Sequence, residues 1–361
     1  MYPKSENESE SERRKTLSVT IYDIARLTGT NITAVSRAFR KDSKISKAKR
    51  ELILKVAKEQ GYRPNSVAGS LSRKIIHIGV AYRYEIPDFS EEQLRGIETA
   101  AARLADFRVK VEVVKCTSVR QVEETLWYFT QKGYDGVLTN CLPAGMPGEK
   151  LVNQLEEKGI AVSLLTTDRP NSKRSVAAVN DVKTAGAMAC DLLKMLGAGK
   201  EVLLFTGELD YVHQGIVTGF RTRAEEIGVY LAQVIDTDDQ PERAELLAKE
   251  VLAAHPGVTG IYVTSANSIP VLKQVVLAGK AHKIRIITSD VFSALSAFIR
   301  EGTVDATIYQ APARQAELAL ENLYLYLVSG SEAKAVTVFP EIVVAGNLHL
   351  YESGQKRHRE V

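Results

Sequence analysis

Between residues 20 and 61 three short helical patterns follow one another with almost no chain between them, and this spacing leaves few folds open. Thr20 is placed to cap a first helix, with Asp23 three residues on, where a carboxylate meets free backbone N–H groups. Ile21, Ile24, Ala25 and Leu27 recur at helical spacing, and Gly29 admits the left-handed residue that ends a helix. Asn31 is placed to cap a second helix that buries Ala34, Val35, Ala38 and Phe39. Ser46 is placed to cap a third, over 47–60, that buries Ala48, Leu52, Ile53, Val56 and Ala57 before Gly61 and Pro64 stop it. Only about three residues join the first two helices, which suits nothing but a tight helix-turn-helix.

Charge gives this segment a partner. From Lys15 to Lys74 there are 14 Lys and Arg against 4 Asp and Glu, a surplus of 10. The whole chain carries only +3, so the remainder carries −7. A surplus confined to one small domain fits a nucleic-acid footprint; a well-solvated basic surface is the bland alternative. In a helix-turn-helix the second helix enters the major groove with its first residues at the base edges. Those residues are Ile32 and Thr33, then Ser36 and Arg37 one turn later. Arg37 can donate two hydrogen bonds to a guanine edge, and Ile32 and Thr33 can touch thymine methyls. Surface or phosphate contact is the other reading of each. Thr20, Tyr22, Asn31 and Arg40 complete the DNA-facing candidates in this domain.

The TIYDIA start, the AVSRAF second helix, the ILKVAKEQGYRPN third helix and the VAGSLSRK segment running into IIHIGVA resemble the headpiece of the LacI/GalR family of bacterial transcription regulators. Order and spacing agree over about sixty residues, far more specific than a lone helix-turn-helix. The resemblance implies a homodimer on a near-palindromic operator and a small-molecule effector that changes operator affinity. It also implies that Asn65 to Ser72 form a hinge helix, with Asn65 and Ala68 facing DNA and Leu71 as a minor-groove wedge. Gly69 departs from the family, which commonly carries Arg or Lys there. Glycine costs about 1 kcal/mol in a helix interior relative to alanine, so this hinge is expected to be harder to order.

At 361 residues, 45% hydrophobic and 25% charged, the chain has the length and composition of two or three globular domains. Cys116, Cys141 and Cys190 form no CxxC pair, so neither a metal site nor a disulfide framework is expected, and a reducing compartment fits. No run of eighteen uncharged apolar residues exists to span a membrane. Residues 1–17 are polar, lack the apolar core of a signal peptide, and read as a disordered tail. A cytoplasmic protein without cofactor is the expectation.

From Ile75 onward short β-branched runs alternate with amphipathic helical stretches, the pattern of parallel sheets flanked by helices. Eleven candidate strands, the last spanning 336–343, exceed one comfortable sheet, so two α/β subdomains are expected. The pattern resembles the type I periplasmic-binding-protein-like core of the same family. That gives a tail over 1–17, a helix-turn-helix domain over 18–64, a hinge over 65–74, a core over 75–351 and a tail over 352–361. Within the core, one subdomain takes about 75–178 and 310–337, the other about 179–308 and 339–351. Three crossovers are expected near 178–181, 308–310 and 338–340.

Ligands in such sheets lie at the carboxyl ends of the strands. Asn267 follows IYVTSA, Asp290 follows IRIITS, and Gln310 follows VDATIY. The resemblance makes all three effector contacts; capping of the following helix or turn is the alternative for each, with Asp290 placed to cap 292–301 and Asn267 to cap 268–278. A carboxylate accepts from two hydroxyls at once, and carboxamides both donate and accept. Sugar-binding relatives often carry Arg three residues before the Gly219-Phe220 pair, where this chain has Ile216. His213, one turn earlier, is a candidate in its place. Tyr82 and Phe89, in the first cleft loop with Tyr84, are candidates for stacking on a ring, with packing as the alternative. Asp168 and Asp181 sit at strand ends as weaker candidates. Leu320, Leu323 and Leu327 read as core or subunit interface, and a tail without leucine heptads points to a dimer.

The favoured function is therefore a DNA-binding regulator, a repressor, switched by a sugar or related polar metabolite. A solute-binding transport component would share the core but needs a secretion signal and no headpiece. An enzyme is the third class, but GxSxG, HExxH, P-loop and GxGxxG motifs are all absent.

Overall fold

The computed structural model describes residues 21–39, 45–60, 74–143, 145–166, 174–207, 211–264, 267–330 and 333–352. It divides into two compact units, residues 1–73 and 74–361. The tails over 1–17 and 353–361, Thr20, Arg40, Asp168 and the hinge residues Asn65, Ala68, Gly69 and Leu71 lie outside the described residues.

The first unit holds α1 (Ile21–Leu27), α2 (Ile32–Ala38) and α3 (Lys47–Glu59). Gly29 takes a left-handed φ of 60° just after α1, as a tight turn requires. The Asn31 carboxamide oxygen accepts from Ala34 N at 2.8 Å, and this starts α2. Ile24, Ala25, Val35, Ala38, Ile53 and Ala57 make the core. Arg50 ties α3 to the end of α2 by donating from Nε to Ala38 O at 3.0 Å. Two expectations fail. Leu27 and Leu52 are 53% and 47% exposed, and Ala48 is exposed too. A core this small is filled by the Ile53–Ala57 face of α3, with Val56 half-buried, and Leu52 and Ala48 lie off that face. Ser46 occupies the N-cap position of α3, but its side chain makes no capping bond.

The second unit contains two six-stranded sheets. The first sheet runs β11-β5-β4-β3-β1-β2, parallel throughout, from β1 (Ile76–Arg83), β2 (Val109–Cys116), β3 (Gly136–Thr139), β4 (Ala161–Leu165), β5 (Ser175–Asn180) and β11 (Ala335–Val338). It is flanked by α4 (Pro87–Ala105), α5 (Val119–Gln131), α6 (Met146–Glu157) and α12 (Pro312–Ser329). The second runs β12-β10-β9-β8-β6-β7, from β6 (Val202–Thr206), β7 (Leu231–Asp236), β8 (Gly260–Val263), β9 (Arg285–Ser289), β10 (Ala306–Tyr309) and β12 (Glu341–Val343). Only β12 is antiparallel to its neighbour in that sheet. Its helices are α7 (Val182–Met195), α8 (Tyr211–Ile227), α9 (Pro241–Ala254), α10 (Ser268–Leu277) and α11 (Ser293–Arg300).

The expected strand over 336–343 is two strands, β11 in one sheet and β12 in the other. Phe339 and Pro340 lie between them. Pro340 has no N–H to donate to a ladder, so the chain leaves the first sheet there and enters the second. The other crossovers fall between β5 and α7 and between β10 and α12, as expected. The α7–α8 contact explains the Gly219-Phe220 pair. A Cβ on Gly219 would lie 2.0 Å from Lys183 O, and one on Gly186 would lie 2.0 Å from Ile216 O, so only glycine lets these helices meet. Ile216 is fully buried in the same core.

Candidate functional site

The polar residues of the core gather where the parallel strands end. Asp290 follows β9 in the left-handed region at φ 61°, where non-glycine residues are uncommon and aspartate is several-fold enriched. Its backbone is pinned there. Its N–H donates to Ile308 O at 2.8 Å, and its carbonyl accepts from Thr307 Oγ1 at 2.6 Å. Neither Asp290 nor Asn267 caps a helix through its side chain. The N-cap of α11 is Phe292, and Asn267, although at the N-cap of α10, makes no side-chain capping bond. Neither side chain therefore serves the start of the next helix, although the Asp290 carboxylate does accept from the backbone of Gln310.

The Asp290 carboxylate accepts twice from Gln310: at Oδ1 from the backbone N, 2.9 Å away, and at Oδ2 from Nε2, 2.7 Å away. Gln310 Oε1 in turn accepts from Asn180 Nδ2, and its backbone O accepts from Gln315 Nε2 at 2.7 Å. Asp290 and Gln310 are only 5% and 6% exposed. Burial pushes the Asp290 carboxyl up from 3.8 to about 7; the hydrogen bonds from Gln310 pull the other way, and the negative charge of Glu92 adds to the rise. This cluster spans the two subdomains. Asn180 ends β5 in the first sheet, whereas Gln310 follows β10 in the second, so their bond joins two of the three crossovers.

A second network runs along the same edge of the second sheet. His213 Nδ1 lies 3.0 Å from Thr264 Oγ1, which donates to Thr206 Oγ1 at 3.1 Å. Thr237 Oγ1 donates to Thr206 O at 2.8 Å and accepts from Asn267 Nδ2 at 3.4 Å. Because the Thr264 hydroxyl hydrogen is committed to Thr206, the hydrogen on His213 belongs on Nδ1. His213 Nε2 lies 3.7 Å from Asp239 Oδ2. The expected contacts thus fall into two groups, Asp290 with Gln310 and His213 with Asn267, on adjoining strand ends.

The aromatic candidates separate. Phe89, half-buried on α4, packs against the core of the other subdomain, and Tyr309 donates its hydroxyl to Glu92 on the same helix. Tyr82 is a correction. Its ring is 1% exposed within the core of the first sheet, and its hydroxyl donates to Gln93 Oε1 at 2.8 Å, so it offers no face for stacking. Asp181 is another, because its carboxylate caps α7 by accepting from Thr184 N at 3.1 Å. Asn180, Glu92, Gln93 and Gln315 were missed. Asn180 was within reach, since it follows SVAAV as Asn267 follows IYVTSA. The others sit inside helices, where periodicity marks only apolar residues. A groove of about 620 Å³ between α8 and β7 lies away from the strand ends, lined by Arg221, Ala224, Glu225, Val229, Tyr230 and Leu231. It carries none of the converging carboxylates and carboxamides.

In the first unit, Asn31 spends its carboxamide oxygen on the N-cap of α2, and Arg37 is exposed on that helix. The backbone of Tyr22, Ile32, Thr33 and Ser36 is helical; their side chains lie outside the described part.

Comparison with known proteins places both units. Residues 20–65 match the family described as bacterial regulatory proteins, lacI family, and residues 78–332 match the periplasmic binding protein domain. The HTH-type transcriptional regulator DegA of Bacillus subtilis is 26% identical over 220 residues, 59% of this chain and 63% of that protein, so the match spans less than two thirds of DegA. The ribose operon repressor of Halalkalibacterium halodurans is 26% identical over 256 residues, 68% of this chain and 71% of its own. Among solved structures, the glucose-galactose binding protein GanP of Geobacillus stearothermophilus superposes with a TM-score of 0.69 at 23% identity, covering 76% of this chain and 99% of its own. The chain therefore belongs to the periplasmic binding protein domain family over residues 78–332, and its first unit carries the lacI-family regulator domain over residues 20–65.

Proposed function

We propose that this chain is a sequence-specific DNA-binding transcription regulator, a repressor, that acts in the cytoplasm on a near-palindromic operator as a homodimer. Its effector is a sugar or related polar metabolite held at the strand ends of the core, and the proposal includes no catalytic step. The observation that carries the reading is the pairing of a lacI-family headpiece with a core whose Asp290 and Asn267 are not used as helix caps. The names of the relatives support it.

The effector acts by preferring one subdomain arrangement. It can shift operator affinity only by its differential affinity for the two states. The Asp290–Gln310–Asn180 cluster joins two crossovers, so a ligand that binds there bears directly on the hinge between subdomains.

A gel-shift with salt titration tests the regulator reading. Each phosphate contact released adds about 0.9 to the slope of log K against log salt, so binding should weaken steeply with salt. Preference for one sequence over competitor DNA should persist throughout. Binding without any sequence preference would refute the reading.

A further inference from the structure

Two buried acceptors beside Gln310, Asn180 Oδ1 and Gln315 Oε1, have no hydrogen-bond partner among the described residues. Their side chains are 4% and 0% exposed. The direction of these amides follows the state of Asp290: when ionised its carboxylate only accepts, so Gln310 turns Nε2 toward Asp290 and Oε1 toward Asn180. Asn180 must then turn Nδ2 toward Gln310, which leaves its Oδ1 unmatched. Gln315 donates to a backbone carbonyl, which also only accepts, and its Oε1 is left in the same way. Few buried acceptors in folded proteins go unpaired, and each asks for an explanation.

We infer that the cleft takes a neutral ligand bearing hydroxyl or amine donors, which donates to Asn180 Oδ1 and Gln315 Oε1, and that these residues select against phosphorylated and carboxylated molecules. The inference rests on the proposed effector reading. A phosphate or carboxylate group brings only acceptors toward the Asp290 carboxyl and two buried carboxamide oxygens. A hydroxyl brings the hydrogen these oxygens lack.

The test uses the full-length protein and a stated panel, with binding read by isothermal titration. The neutral probes are D-glucose, D-galactose, D-arabinose, D-ribose, D-allose and myo-inositol. The anionic probes are glucose 6-phosphate, ribose 5-phosphate and glucuronate. At least one neutral probe is expected to bind, with its anionic counterpart about thirtyfold weaker, the worth of two hydrogen bonds. Asn180→Leu is expected to weaken that probe about fivefold, the worth of one. If the unpaired acceptor were only a packing defect, Asn180→Leu would leave Kd unchanged; the melting temperature falls in either case, because Gln310 Oε1 loses its donor. Tighter binding of an anion, an unchanged Kd in Asn180→Leu, or no binding by any neutral probe overturns the inference. The comparison of neutral with anionic probes needs no variant to fold. Asp290→Ala separates the two readings. If it abolishes binding while Asn180→Leu does not, only this inference falls; if binding survives Asp290→Ala, the placement of the effector falls with it.

Discussion

Asp290→Asn is the most informative single change in the core, because its effect should depend on pH in a way few other substitutions mimic. Burial raises the Asp290 carboxyl from 3.8 to about 7 in the folded protein. A group whose pKa is raised by folding favours the folded state fully below its unfolded pKa. That contribution is lost as pH rises to the folded value, and above it nothing further changes. The window is therefore about pH 4 to 7, with stability falling as pH increases. At 1.36 kcal/mol per unit, the loss over the window is about 4 kcal/mol, or about 1.4 kcal/mol per pH unit on its steep part. Asparagine has no charge to desolvate, so the variant should gain on wild type through that window and hold the gain above about pH 7.

The assay is urea denaturation of wild type and variant at pH 4.5, 5.5, 6.5 and 7.5, following the core transition. Taking the difference cancels every other titrating group. A difference that opens steadily through the window is expected. Parallel curves would show that Asp290 is not a desolvated carboxylate, and the electrostatic account of the site would fail. The hydrogen bonds predict a companion effect. The carboxamide introduced by Asp290→Asn keeps an oxygen for Gln310 N but would meet Gln310 Nε2 with its own amide hydrogens. Gln310 and then Asn180 must turn over, and Asn180 would offer a donor where it had offered an acceptor.

Three further outcomes follow from other parts of the fold. Gly219→Ala puts a methyl 2.0 Å from Lys183 O, and overpacking between rigid helices should cost at least about 1–3 kcal/mol in thermal unfolding of the core; an unchanged melting temperature would refute the close approach. Asn31→Ala removes the N-cap of α2 and should destabilise the headpiece by about 1 kcal/mol, read as a lower-temperature loss of operator binding. Arg37→Ala should cost about 1–3 kcal/mol and relax preference at one base pair if Arg37 reads a guanine. A loss spread evenly over all sequences would make it a phosphate contact instead.

Much of this molecule was legible from local pattern. Strand runs such as IIHIGVA and VLLFT are apolar on both faces, as strands buried between helix layers must be, and they sit where expected. The crossovers were expected from the family resemblance, and the strand order of the two sheets puts them after β5, after β10 and between β11 and β12. What could not be read depends on contacts between residues far apart in the chain. Tyr82 and Phe89 look alike as aromatic residues near a strand end, yet one is core and the other crosses to the second subdomain. Asp181 and Asp290 both follow a strand, yet only Asp181 has a Thr184 N–H in reach, whereas Gln310 is delivered to Asp290 by a strand twenty residues later.

Among the seven described non-glycine residues with positive φ, Thr166, Asp290 and Ala311 lie just after strands that end at the site, and each such residue costs about 1–3 kcal/mol. The desolvated carboxylate and the unpaired oxygens of Asn180 and Gln315 fall in the same place. Sequences that fold well tend to violate local consistency where function demands it. The size of the effect also fits a switch. If two new hydrogen bonds form only in this arrangement, the ligand favours it by about 1–3 kcal/mol, the usual range of coupling between two sites. The same oxygens that cost stability in the free protein are then the means by which a ligand can select this arrangement. A donor ligand that bound tightly yet left operator affinity unchanged would place those hydrogen bonds equally in both states and remove them from the switch.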